Sequence, residues 1–265
     1  MKQAFLDGLK AWFSRYVHSF DVATGSRQPM ELKEVHTAYV CRDIAILAES
    51  ECLKGEDIVL AGAIGLLHDV GRFPQHAKYG TFKDSQSENH GELGVRVIKE
   101  AGILEGLPED EKAVILESVK FHNAYSVPAM GSRPSLFLKL VRDADKLDIW
   151  RVFLDIFEIP EEQRPSIQSL GFPGGQGISA KVLEAVKSGK KISLAAAETE
   201  NDYRLLQLAW IYDLNFQMSY RLALDRGIVD RILAQMPDFE GKGALRARLN
   251  EFLREKSGIA GGAEE

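Results

Sequence analysis

The chain has 265 residues, 45% of them hydrophobic and 27% charged, which suits a globular protein with one sizeable core and room for an appended subdomain, and excludes disorder as the default. Its formal net charge is -6 and its pI about 5.6, with acidic and basic residues interspersed. No electrostatic footprint for duplex nucleic acid or a membrane surface follows, and a polyanionic substrate would have to find local cations.

Apolar residues recur at helical spacing along nearly the whole chain, and no long alternating run bounded by hairpin turns occurs, so the expected fold is all-α. The first helix, over 2–20, is amphipathic and carries charges throughout, unlike a signal peptide or a membrane span; cytoplasmic residence is expected, with residues 1–30 as an N-terminal helical arm. Thr24 to Pro29 separates it from helices over 31–53 and 56–70, which are followed by a long irregular segment from Gly71 to Ser87. Cys41 and Cys52 lie on the second helix without a CxxC spacing, which argues against a disulfide framework or a zinc ribbon; both read as reduced, with Cys41 packed.

Helices over 89–102 and 109–122 come next, the latter started by Leu107-Pro108-Glu109-Asp110, where proline and acidic residues suit the first turn and its dipole. A helix over 134–157 closes a core assigned to 31–157. Near Ser169 the character changes, and Gly171 to Gly177 is a flexible loop, lacking the Lys-Ser/Thr ending and preceding strand of a phosphate-binding loop. Helices over 178–188, 199–226, 228–235 and 242–255 form an extension over 158–265, expected to pack on the core through Trp210, Tyr212, Phe216 and Tyr220. Gly258 to Glu265 should fray.

The most informative stretch runs from Ala61 to Phe73, where an apolar helix ends in His68-Asp69 followed by Val70-Gly71-Arg72. An imidazole and a carboxylate at the end of a core helix are costly unless something satisfies them, although a helix-terminal histidine meeting the last carbonyls would also explain the pair. Together with its neighbours this stretch resembles the signature of the HD superfamily of metal-dependent phosphohydrolases: an upstream His, a His-Asp pair and a distant Asp. The resemblance covers about residues 31–155. His36, in Glu34-Val35-His36-Thr37, takes the upstream position, though taken singly it reads as an ordinary helix histidine. Asp145, in Ala144-Asp145-Lys146-Leu147, takes the last position, leaving Asp143 and Asp148 to support a ligand from behind or to face solvent.

His90 and His122 match the narrower group of HD proteins with two metal ions, whose extra histidines fall between the pair and the last Asp; taken alone, each reads as an exposed terminal histidine. The implied ligand set is His36, His68, Asp69, His90, His122 and Asp145, with Asp69 as the bridge and His68 and Asp69 at the catalytic centre. Imidazole and carboxylate ligands without thiolate suit Mn, Fe, Ni or Co, with Zn possible and Mg less natural. Two such ions held roughly 3.5–4 Å apart activate a water as hydroxide and clamp a phosphoryl group. Arg72, His76, Lys78 and Lys146 are the local candidates for holding substrate, each with an ordinary surface or salt-bridge role as the alternative. His18 receives no role.

The resemblance implies a metal-dependent phosphohydrolase acting on a phosphate ester or anhydride of a nucleotide or related small molecule. After His122 stands Asn123-Ala124-Tyr125, without the His-Glu and Gly-Tyr-Pro elements of cyclic-di-GMP phosphodiesterases, and the His-Thr-Thr-Gly run of HD enzymes that split diadenosine tetraphosphate is missing, so neither substrate transfers. The same ligand order occurs in HD-type di-iron oxygenases. A non-catalytic nucleotide-binding sensor is the third reading, against which the retention of all six ligands speaks. The extension could serve as a lid, a homo-oligomer surface or completion of the core.

Overall fold

In a computed structural model of the chain, residues 1–20, 27–159, 177–190, 192, 193 and 196–259 are described. They form α1 (Gln3–His18), α2 (Gln28–Ser50), α3 (Glu56–Leu67), α4 (Arg72–Tyr79), α5 (His90–Glu100), α6 (Glu109–Phe121), α7 (Ser132–Phe157), α8 (Ala180–Lys187), α9 (Glu200–Ala209), α10 (Gln217–Asp225), α11 (Ile228–Ala234) and α12 (Lys242–Ser257), with 3-10 turns at Asp84–Gln86 and Trp210–Asp213. No strand occurs among the described residues, so the fold is all-α, as the periodicity predicts. No described helix is long and apolar enough to cross a membrane.

The chain divides into two compact units, Met1–Asp148 and Ile149–Glu265. In the first, α3 is the central rod because its sequence is apolar and small-residued: Leu60, Ala61, Ala63, Ile64 and Leu67 are fully buried. Small residues let neighbours come close. A Cβ on Gly65 would stand 3.0 Å from Ile44 of α2, and one on Gly62 would stand 3.3 Å from Leu6 of α1. The apolar stripe Leu6, Leu9, Phe13 and Val17 of α1 is buried, and the Tyr16 hydroxyl donates to the Val70 carbonyl at 3.0 Å, just past the His-Asp pair. Burying each such aliphatic side chain is worth roughly 1.5–3 kcal/mol, so packing rather than propensity holds this helix.

Two expectations about elements are corrected. The segment from Gly71 to Ser87 is not wholly irregular, for it contains α4; Pro74 sits in the first turn, where its missing N–H is harmless, and Gly80, in the left-handed region at φ 66°, ends the helix. The helix over 199–226 is broken. Leu214 and Phe216 have extended backbones and bury their side chains, and the Tyr220 hydroxyl donates to the Leu214 carbonyl at 2.7 Å, so α9 and α10 are separate. The change near Ser169, the Gly171–Gly177 loop apart from Gly177, and parts of the 24–29 separator and of the C-terminal tail lie outside the described residues.

The second unit packs α8 on α9 and α10 on α12, with α11 against α9, α10 and α12. Its aromatic residues serve packing: Tyr212 and Tyr220 flank Phe252 with ring centroids 4.9 and 6.0 Å away, and Trp150 donates to the Gln207 carbonyl at 3.1 Å.

Candidate metal centre

Five pieces of backbone in the first unit bring the six side chains together. His36 comes from the middle of α2, His68 and Asp69 from the turn ending α3, His90 from the first residue of α5, His122 from the end of α6, and Asp145 from α7. The four histidines and Asp69 are buried, and the Asp145 side chain is 16% exposed. Each imidazole is aimed by its Nδ1. His68 and His122, both ending helices, donate backwards to the carbonyls of Gly65 and Val119 at 2.8 and 2.7 Å. His36 Nδ1 lies 2.6 Å from Asp148 Oδ2, and His90 Nδ1 lies 2.8 and 2.7 Å from the two Asp84 oxygens. With every Nδ1 tied down in this way, each Nε2 points inward.

The four Nε2 atoms converge in two pairs, His36 with His68 at 3.2 Å and His90 with His122 at 3.0 Å. Asp69 lies between the pairs. Its Oδ2 is 3.5 and 3.7 Å from His36 and His68, while its Oδ1 is 3.5 and 3.6 Å from His90 and His122. Asp145 Oδ1, at 3.1 Å from His36 and 3.8 Å from His68, completes the first group. Two sets therefore have donor atoms close enough to share a cation: His36, His68 and Asp69, and Asp69, His90 and His122.

The chemistry of these donors fits divalent cations. His90 is held neutral, and its Nε2 lies 3.0 Å from His122 Nε2 with Asp69 Oδ1 beside both, so two ring nitrogens and a carboxylate oxygen converge on one point.

The electrostatics point the same way. Burial pushes His68 down to about 4, against the pull of Asp69 and Asp145, and burial together with Arg72 pushes His90 down to about 3. Burial and Lys33 also act to lower His36, but its bonds to Asp145 and Asp148 prevail and raise it. Burial opposes the Asp69 charge, yet Lys33, then His68, His122 and Arg72, hold this carboxyl well below the usual range.

These shifts give the apoprotein a pH dependence of known sign. His68 and His90 bind their protons in the unfolded chain near pH 6.5 but resist them when folded, so stability falls as pH drops through that value towards 4. His36 opposes them, because its raised value favours the folded state below pH 6.5 and loses that benefit above it. With two groups against one, calorimetry of the apoprotein should show Tm rising from pH 4 to 6.5; a flat or falling Tm would contradict the histidine environment described above.

Among the expected substrate residues, Arg72 lies at the cluster. Its Nε is 3.5 Å from Asp69 Oδ1, and one terminal nitrogen donates to Gln75, to the Phe82 carbonyl and to Asp84. Lys146 is buried beside Asp145. His76 rests on the Phe82 ring, centroids 4.8 Å apart, and its Nδ1 is buried without a hydrogen bond. Lys78 is exposed, pairs with Glu88 at 3.9 Å and lies over Tyr79, and no contact brings it to the cluster. Sequence reasoning missed three members. Lys33 places Nζ 2.7 Å from Asp69 Oδ2; its position one turn before His36, on the same helix face, was the available signal. Asp84 orients His90 and also accepts from Asn123 Nδ2 at 3.0 Å. Gln75, fully buried, donates to Asp84 at 2.9 Å.

Residues 34–150 match the HD domain family, a span that contains all six clustered side chains. Comparison with curated proteins and with solved structures gives no match.

Proposed function

Residues 34–150 form an HD domain, and from that premise we propose that the chain is a phosphohydrolase which holds two divalent transition-metal cations, one with His36, His68 and Asp145 and one with His90 and His122, Asp69 bridging them. The observation that carries the reading is the placement of the two Asp69 oxygens, each facing a different imidazole pair. When bound, the cations supply an acidified water as nucleophile and Lewis-acid charge for a phosphoryl oxygen.

The remaining work belongs to the chain. His36, His68, His90 and His122 keep their ring orientation because their Nδ1 atoms are tied down, so no reorganisation accompanies the reaction. Four carboxylates, Asp69, Asp84, Asp145 and Asp148, offset the charge of two divalent cations. Lys33 and Arg72, both directed at Asp69, then leave an excess of positive charge beside it, which suits a dianionic phosphate group of a nucleotide or related small molecule better than a neutral substrate. Burial of the cluster excludes bulk water and strengthens these interactions. A cytoplasmic setting belongs to the same reading, in keeping with the free thiols of Cys41 and Cys52.

The test is an assay of Mn- or Co-loaded protein under nitrogen against a panel of nucleotides and phosphate esters. Phosphate release without oxygen is expected. Oxygen-dependent turnover of an iron-loaded sample without phosphate release would replace this reading with a di-iron oxygenase, and nucleotide binding without turnover would replace it with a sensor.

A further inference from the structure

We infer that Gln75 is a positioning residue for the cation between His90 and His122, acting through Asp84 on His90; this rests on the two-cation reading above. The supports of the other three imidazoles are built into helices or their ends. His68 and His122 are held by carbonyls one turn back, and His36 by Asp148, which shares α7 with Asp145. Only His90 depends on a group outside an α-helix. Asp84 opens a single 3-10 turn whose own backbone bonds run from Gln86 to Lys83 and from Ser87 to Asp84. Something else must fix its carboxylate.

Gln75 has the required chemistry. It is 0% exposed on α4, and an amide so buried is costly unless both of its ends are bonded. Its two N–H bonds are shared among three acceptors, Asp84 Oδ1 at 2.9 Å, Ser87 Oγ at 2.8 Å and the Glu88 carbonyl at 3.0 Å, while its oxygen accepts from Arg72 at 2.8 Å. The three acceptors lie on residues 84–88, the approach to α5, so one buried side chain ties both the carboxylate and the backbone that delivers His90. The amide has a single workable orientation, since turning it over would set its oxygen against the Asp84 carboxylate and its nitrogen against the Arg72 guanidinium. Partners behind a metal-bound histidine typically change metal affinity by about 10–100-fold, which sets the expected scale.

The experiment is calorimetric titration of the apoprotein with Mn(II), and with Co(II) as a second probe, comparing wild type, Gln75→Glu and Asp84→Asn. Gln75→Glu keeps the shape but replaces the donors with a charge facing Asp84. Both variants are expected to bind one cation with wild-type affinity and the other about 10–100-fold more weakly. Circular dichroism and Tm establish folding, and Gln75→Met, which removes the amide donors without adding a charge, carries the test if Gln75→Glu does not fold, while Asp84→Asn reads the link to His90. Two wild-type affinities in the folded variants, or equal weakening of both cations, would overturn the positioning role. Wild type that binds fewer than two cations would instead overturn the two-cation reading, and the proposal with it.

Discussion

Asp69→Ala is expected to strip the protein of both cations and to reduce phosphate release to background. Its two oxygens face different imidazole pairs, so one substitution removes an oxygen donor from each group at once, which no change at a single histidine does. Lys33 Nζ at 2.7 Å and Arg72 Nε at 3.5 Å would also lose their shared counter-charge in a poorly solvated place. Breaking a buried pair by removing one partner costs roughly 3–5 kcal/mol, and the 16% exposure of each cation's side chain puts this case at the lower end. Asp69→Asn separates the two effects. It preserves shape and one acceptor, so its Tm should stay closer to wild type while its metal content still falls. Elemental mass spectrometry and calorimetry read both quantities, and an alanine variant with full metal content would contradict the bridging assignment.

Gly71→Ala is expected to lower stability by about 1–3 kcal/mol and to weaken the cation between His90 and His122. The glycine is required here by close approach and not by a left-handed backbone, because its φ is -68°. An added Cβ would stand 2.6 Å from the Gly94 nitrogen and would press on the His90 carbonyl. Both obstacles are backbone of α5, which can yield only by moving the helix that begins with His90. A Tm within error of wild type would show that α5 has slack, and His90 would then not be held as rigidly as its contacts imply.

The legible part of this protein was its periodicity and its anomalies. Helical spacing gave the all-α class, and the polar pair His68-Asp69 stood out because it ended the apolar run from Ala61 to Leu67. Family resemblance then placed His36, His90, His122 and Asp145, and the structure brings five of the six side chains into two groups that share Asp69, with Asp145 3.1 Å from His36. What periodicity reports is which face of a helix is buried, so it passed over short elements. α4 has eight residues, a proline and several polar side chains, and so carries little apolar signal. The break between α9 and α10 depends on Leu214 and Phe216 being buried from an extended stretch, which looks the same in sequence as helical burial.

Lys33, Gln75 and Asp84 were hidden for a different reason. Each is a polar residue of ordinary type whose role comes from a partner elsewhere in the chain: Lys33 meets Asp69, Gln75 meets Asp84, and Asp84 meets His90 and Asn123. Lys33 alone left a trace, its one-turn spacing from His36. Arg72, expected to hold substrate, proves to be tied as well into the structure behind His90, which a linear reading of its charge does not suggest.

The proposed bridge is one carboxylate, Asp69, between two cation sites. It is tested most directly by purifying the chain without chelator or affinity metal, reconstituting it with Mn, Fe, Co, Ni or Zn in turn, and counting bound metal by elemental mass spectrometry. About two ions per chain are expected with at least one of these metals, falling below one in Asp69→Ala. No retained metal after reconstitution with any of them would contradict the proposed bridge.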